Sequence, residues 1–258
     1  MEKRILVTGP NGFVGSHIMK AMPDAIPVPR LRGTETEVAR AVEGADVIIH
    51  TAAISDMGVC ERDPESSYRA NVLLPLWIAK AAPRAKLILF STDQVYNGTP
   101  GNGPFTEEET CPVNVYARHK LEMERRVLEL RPDAVLLRAT WMFSRDHGFV
   151  GNMRKASGPV TAPAQYRGLT WVEEVAANLP QTFRLPGGAY NFGSEAVLSM
   201  AEMTRETLRL LGREPTVTEG DARQPLWMNT ARARQAGIRF SDSMDGIRAC
   251  IAGLRQGE

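Results

Sequence analysis

The chain has 258 residues, enough for one large α/β domain or a main domain with a small lobe. Hydrophobic residues make up 43% and charged residues 24%, which suits a folded globular enzyme. Basic and acidic residues number 31 and 30, a balance that argues against a nucleic-acid footprint or a membrane-surface face. The apolar run Ile5-Leu6-Val7 is too short for a signal-peptide core, and nothing approaches the ~18 consecutive apolar residues of a membrane span. Cys60, Cys111 and Cys250 are scattered without metal-ligand spacing. They read as free thiols, and the expected location is the reducing cytoplasm.

Short apolar runs alternate with helical patterns through the first half. Strands are expected at 4–8, 26–28, 46–50, 86–90 and 134–138. Helices are expected at 12–21, 35–42, 64–82 and 112–130, with a kink at Pro75 because proline removes a helix hydrogen bond. The alternation predicts a doubly wound parallel sheet of Rossmann type, covered on both faces. Beyond Trp141 the pattern weakens. The stretch 144–168 reads as loops with one short helix, followed by helices at 172–183 and 199–211 and a strand at 189–192. We expect an NAD(P)-binding domain from 1–144 with 169–192. A small substrate-binding lobe is expected from 145–168 with 193–258.

The first strand runs into Thr8-Gly9-Pro10-Asn11-Gly12-Phe13-Val14-Gly15, with glycines spaced G-x-x-G-x-x-G. Gly9 permits the tight turn, Gly12 lets backbone approach a pyrophosphate, and Gly15 lets helix and strand pack closely. The helix N-terminus offers free N–H groups to the phosphates. After the second strand no carboxylate stands where NAD would place one on its ribose. Arg30 and Arg32 stand there instead and suit the 2′-phosphate of NADP. Solvated loop charges are the alternative reading of those arginines.

Tyr116 and Lys120 lie four positions apart in a helical pattern and share a face. An ammonium beside a phenol favours the phenolate, so the pair is expected to exchange a proton near neutral pH. The strand at 86–90 leads into Ser91-Thr92-Asp93. Polar residues at the carboxyl end of a parallel strand face the ligand crevice, and Thr92 is placed to stabilise charge on a reacting oxygen.

These features coincide with TGPNGFVG (8–15), HTAA (50–53), NVLLP (71–75), STDQVYNG (91–98), PVNVYARHKLEME (112–124) and RATWMF (138–143). In this order the motifs resemble the extended short-chain dehydrogenase/reductases, and among them the dTDP-4-dehydrorhamnose reductase family. The resemblance implies Tyr116 as proton donor, Lys120 as its electrostatic and ribose partner, and Thr92 as the hydroxyl on the substrate oxygen. It implies that Thr51, Ala52, Ala53 and Ser91 line the cofactor and that Asn71 is structural. Thr92, Asp93, Gln94 and Trp141 would meet a nucleotide sugar. Apart from the resemblance, Asn152, Arg154, Lys155 and Arg223 are candidates for its diphosphate, with charged surface as the alternative. The family's Asp-Gln-x-Gly-x-Pro-Thr segment survives only in fragments at 162–170.

The expected reaction is NADPH-dependent reduction of the C4 keto group of a nucleotide-linked deoxy sugar. Two other readings stand beside it: a non-catalytic NADP-binding regulatory subunit, and an epimerase or dehydratase holding NAD. A nucleotide sugar is the expected partner, with no nucleic acid, membrane or metal, and a homodimer left open. The four histidines share no spacing, His119 is expected on the surface, and Glu107–Glu109 reads as a solvated loop. Trp77, Trp171 and Trp227 are expected to pack.

Overall fold

The computed structural model describes residues 3–31, 34–221 and 226–256. The first half builds β1 (Ile5–Thr8), α1 (Phe13–Ala21), β2 (Ile26–Val28), α2 (Glu35–Val42) and β3 (Val47–His50). Next come α3 (Met57–Arg62), α4 (Pro64–Tyr68), a π-turn (Arg69–Leu73) and α5 (Leu74–Ala81). Then follow β4 (Lys86–Thr92), α6 (Val115–Leu130) and β5 (Val135–Ala139). The second half adds β6 (Trp141–Phe143), α7 (Gly148–Lys155), β7 (Val160–Pro163), β8 (Leu169–Trp171) and α8 (Val172–Thr182). It ends with β9 (Gly188–Phe192), α9 (Met200–Leu210), β10 (Val217–Gly220), α10 (Ala231–Gln235) and α11 (Ser243–Gln256).

Among the described residues, six strands form one sheet in the order β2-β1-β3-β4-β5-β9. β1 pairs in parallel with β2 and β3, and β3 with β4. Leu6, Ile48, Leu87 and Leu136 pack on one face with Val38 of α2, Ile78 of α5 and Met123 of α6. The intervening residues Val7, Ile49, Ile88 and Leu137 are also buried, so the strands read as continuous apolar runs. The strand order reverses between β1 and β3, which opens a crevice at their carboxyl ends.

The chain divides into two compact units. The first comprises 1–95, 112–138 and 179–190, and the second comprises 96–111, 139–178 and 191–258. The second unit has its own core around Phe143, Phe149, Met203, Leu208 and Ile247. There β6 pairs with β8, and β7 with β10. The region 144–168 therefore holds a strand as well as the expected short helix, and α11 is an element the sequence reading did not anticipate. No helix among the described residues is long and apolar enough to cross a membrane.

The expected helix at 64–82 is interrupted one turn before Pro75. Proline has no N–H to give to the Asn71 carbonyl and its ring crowds that oxygen. The chain accommodates this by widening to a π-turn over Arg69–Leu73. Asn71, inside that turn, is fully buried. It donates to the Ile54 carbonyl at 2.9 Å and accepts from the Ile54 N–H at 3.0 Å, fixing the loop after β3. The expected helix at 112–130 starts at Val115, because Asn114 caps it by accepting from the Ala117 N–H at 2.7 Å.

Candidate active site

The loops after β1 and β3 meet at the sheet reversal. Gly9 sits at φ +68°, in the left-handed region. A Cβ there would meet the Ala52 nitrogen at 2.8 Å, so only glycine lets the two loops close together. A Cβ on Gly15 would collide with the Gly9 carbonyl. Gly12 caps α1 without a side chain, and the first turn of the helix has no acidic residue. The helix therefore presents uncapped N–H groups and its positive end to an anion.

A cleft of about 1140 Å³ opens over this turn. Gly9, Asn11, Gly12, Arg30, Thr51, Ala52 and Ala53, all expected on the cofactor, line it. Phe13, Val14 and Gly15 form the first turn of α1 beneath the cleft, with Phe13 edge-on to His17. Arg32 lies outside the described residues. The far wall is made by Ser66, Arg69, Leu74 and Trp77, with the Arg69 guanidinium 5.9 Å from the Trp77 ring centroid. Sequence reasoning missed this wall. Trp77 packs partly on the core, as expected, and faces the cleft as well. The signal was the proline at 75, whose π-turn changes the helical phase between residues 69 and 77.

β4 runs two residues further than expected and carries Ser91 and Thr92 on its last turn of strand. Thr92, Asp93 and Gln94 are buried there, and the Thr92 hydroxyl accepts from the Gln94 N–H at 3.1 Å. The Thr92 hydroxyl also hydrogen-bonds the Tyr116 phenol. Tyr116 is 8% and Lys120 2% exposed. Lys120 directs its ammonium to the Phe90 carbonyl at 2.7 Å.

The expected lowering of the phenol by Lys120 is reversed. Burial pushes the Tyr116 phenol well above its ordinary range, against the opposing pull of the Thr92 hydrogen bond. Burial instead brings the Lys120 amine down to about 8, and the Glu124 carboxylate works against that shift. At neutral pH the phenol is thus a proton donor beside a largely charged ammonium. His50, hydrogen-bonded through Nδ1 to the Thr8 hydroxyl at 2.7 Å, is held neutral by burial, its pKa near 3.

Ser91 takes a different place from the one expected. Its hydroxyl donates to Glu124 in a short hydrogen bond. Arg138 grips the same carboxylate, with Nη2 at 2.7 Å and Nε at 3.1 Å from each oxygen. Neither Glu124 nor Arg138 was singled out in the sequence, although Lys120 and Glu124 repeat the four-residue spacing of Tyr116 and Lys120. His119 is half-buried rather than exposed, bonded to the Ser67 hydroxyl at 2.9 Å and edge-on to Tyr68.

In the second unit Trp141 is half-buried, with the Arg167 guanidinium 5.2 Å from its ring centroid and Phe149 edge-on. Asn152 is exposed on α7. Its neighbour Arg154 is paired with Asp146 at 2.5 Å, and Lys155 with the Asp146 carbonyl at 3.1 Å. Arg223 lies outside the described residues. Glu107 accepts from the Asn191 N–H at 2.9 Å, and Glu109 caps Thr106, so these acids order a loop.

A family model described as the RmlD substrate binding domain matches residues 3–237. The dTDP-4-dehydrorhamnose reductase of Mycolicibacterium smegmatis is 29% identical over 98% of this chain and 86% of that protein. The structure is similar to a dTDP-4-dehydrorhamnose reductase of Clostridium acetobutylicum, with a TM-score of 0.88 and 23% identity. That match covers 98% of this chain and 99% of the other. It also resembles the Bacillus anthracis dTDP-4-dehydrorhamnose reductase in complex with NADP, with a TM-score of 0.87 and 20% identity over 98% and 99% of the two chains. These two likenesses carry the fold. The family match runs from β1 through α10 and takes in the glycine turn, the Thr92–Tyr116 pair and Lys120, and by it the chain belongs to the RmlD substrate binding domain family.

Proposed function

We propose that this protein reduces the C4 keto group of a nucleotide-linked deoxy sugar with NADPH. The observation that carries the reading is the buried Thr92–Tyr116 hydroxyl pair with Lys120 one helical turn on, at the carboxyl end of β4, two strands from the glycine turn after β1 in the same sheet. A dihydronicotinamide bound in the cleft supplies the hydride. Gly9, Gly12 and the open end of α1 suit its pyrophosphate, and Asn11, Thr51, Ala52 and Ala53 line its path. Arg30 at the end of β2, with no carboxylate beside it, favours a 2′-phosphate and hence NADPH over NADH. Arg69 and Trp77 offer the adenosine end a cationic and aromatic wall.

The proton chemistry follows from protonation states. Thr92 and Tyr116 both present O–H groups, so two donors converge on the oxygen of the reacting carbonyl. As negative charge develops on that oxygen, Tyr116 gives up its proton and Thr92 stabilises the remaining charge. The nearby Lys120 ammonium favours the transient phenolate. Asp93 and Gln94 flank this pair. We assign Trp141, Asn152 and Arg223 of the second unit to the nucleotide-sugar side, following the name borne by the Mycolicibacterium relative.

Purified protein titrated with NADPH and NADH, then assayed with dTDP-, GDP- and UDP-linked keto sugars, tests the reading. The expected result is tighter NADPH binding and cofactor oxidation with a dTDP-linked keto sugar. Retention of NAD through purification with no net NADPH consumption would replace it with the epimerase or dehydratase reading. Cofactor binding without turnover on any keto sugar would replace it with the regulatory-subunit reading.

A further inference from the structure

Among the described residues that line the cleft over the glycine turn, Arg30, Arg69 and Trp77 are the charged or aromatic ones. The cleft therefore carries two cations and no carboxylate. Gly9 and Gly12, with the open end of α1, suit a pyrophosphate, and Arg30 at the end of β2 suits the 2′ position of the ribose. The base attached to that ribose needs a flat surface to lie on. The Arg69 guanidinium and the Trp77 ring are the large flat groups that remain.

These two groups are already set against each other. The Arg69 guanidinium lies over the Trp77 ring, 5.9 Å from its centroid. Trp77 is half-buried and packs on the core of the first unit, whereas Arg69 is exposed. The ring thus backs the guanidinium, and the guanidinium is the surface a ligand meets. Their alignment follows from the π-turn before Pro75. Eight positions apart on an unbroken α-helix, residues 69 and 77 would stand about 80° from one another around the axis. The π-turn at Arg69–Leu73 takes up one extra residue, which reduces that angle to about 20° and puts both on one face. A guanidinium already held against a ring loses little further freedom when a base stacks on its other side.

We propose that Arg69 is a specificity-determining residue of this cleft. Backed by Trp77, it is the platform on which the adenine ring stacks, while Arg30 takes the 2′-phosphate. The adenylate half of the cofactor, adenosine 2′,5′-bisphosphate, then binds without the nicotinamide half. The proposal rests on the reading of the cleft as an NADPH site.

The two arginines do separable work, and that gives the test. Purified protein is titrated with NADPH by cofactor fluorescence, and adenosine 2′,5′-bisphosphate and 5′-AMP are then measured as competitors. The wild-type protein should bind the bisphosphate more tightly than 5′-AMP. Arg69→Leu should weaken both by the same factor, roughly tenfold, and leave their ratio as in wild type. Arg30→Ala should instead collapse the ratio. Arg69→Lys keeps the charge but not the planar group, and should bind as poorly as Arg69→Leu. Both arginines are exposed, so the variants should melt like wild type without ligand.

Wild-type affinity for the bisphosphate in Arg69→Leu, or its recovery in Arg69→Lys, overturns the proposal and leaves the NADPH reading intact. So does a loss confined to the bisphosphate, which would mark Arg69 as a second phosphate contact. Wild-type protein that binds NADPH but not the bisphosphate overturns the proposal as well. Wild-type protein that binds neither overturns the cofactor reading itself, and one that binds both but reduces no keto sugar overturns the reductase reading alone.

Discussion

Replacing Tyr116 by phenylalanine removes one oxygen from the centre of the site. General-acid catalysis of this kind contributes about 10²- to 10⁴-fold, so turnover should fall by that factor, or about 3–5 kcal/mol of barrier. The structural cost is small. Thr92 loses its phenol partner but keeps the Gln94 N–H at 3.1 Å and Asp93 at 3.4 Å, so no buried hydroxyl is stranded. One net hydrogen bond is worth about 1 kcal/mol, which moves the thermal midpoint by less than about 4 °C in a chain of this size. Tyr116→Phe should therefore melt close to wild type and bind NADPH within about threefold, under 1 kcal/mol. The assay is the loss of dihydronicotinamide absorbance with a saturating keto-sugar nucleotide, run beside a melt and a binding titration. Turnover within tenfold of wild type, with folding intact, refutes Tyr116 as the proton donor.

Gly15→Ala drives a Cβ into the Gly9 carbonyl and should cost about 1–3 kcal/mol in a denaturant melt, with the NADPH-induced rise in midpoint lost. Gly253→Ala is its control: a Cβ there meets nothing, and the α11 helix should gain up to about 1 kcal/mol. Arg30→Ala should weaken NADPH roughly 10- to 100-fold, the value of a charge-assisted hydrogen bond, and leave NADH unchanged in the same titration. His50 sets a pH dependence of stability. Its folded pKa near 3 lies below the unfolded 6.5, so below pH 6.5 the unfolded chain takes up a proton that the native state refuses. Stability should decline by about 1 kcal/mol per pH unit as pH falls from 6.5 toward 3. Urea midpoints at pH 7 and 5 check this, and His50→Gln should flatten the slope.

The cofactor half of the site was legible because its signals are local. The glycine spacing after β1, the strand–turn–helix context and the missing carboxylate after Val28 are each read within a few residues. The Tyr116–Lys120 pair was equally legible as geometry, since helical spacing fixes a shared face. Its electrostatics were not, because burial decides the protonation states and burial is a property of the assembled sheet and helices. Ser91 shows the same limit: a hydroxyl at a strand end reads as a ligand contact until Arg138 and Glu124 arrive from elsewhere in the chain. In the second unit the strands hold one another through distant pairings, Val160 with Val217 and Trp141 with Leu169. Sequence periodicity carries little trace of such pairs. α11 is the exception. Met244, Ile247, Ile251 and Leu254 repeat at helical spacing and pack in the second core, so this helix is legible in the sequence alone.

The division of the chain between its two units also governs how such a protein is made and how it changes over generations. Unit membership switches after residues 95, 111, 138, 178 and 190. β5 is synthesised well before its neighbour β9, so while residues 140–187 are still being added its outer edge waits unpaired on the ribosome. That edge is Val-Leu-Leu-Arg-Ala, apolar but for Arg138, and until β9 is made it is open to wrong pairing. The same interleaving means that no single genetic crossover exchanges one unit whole. Substitution and loop change within an intact gene are open to this lineage at each step, whereas exchange of a whole unit takes several crossovers at once.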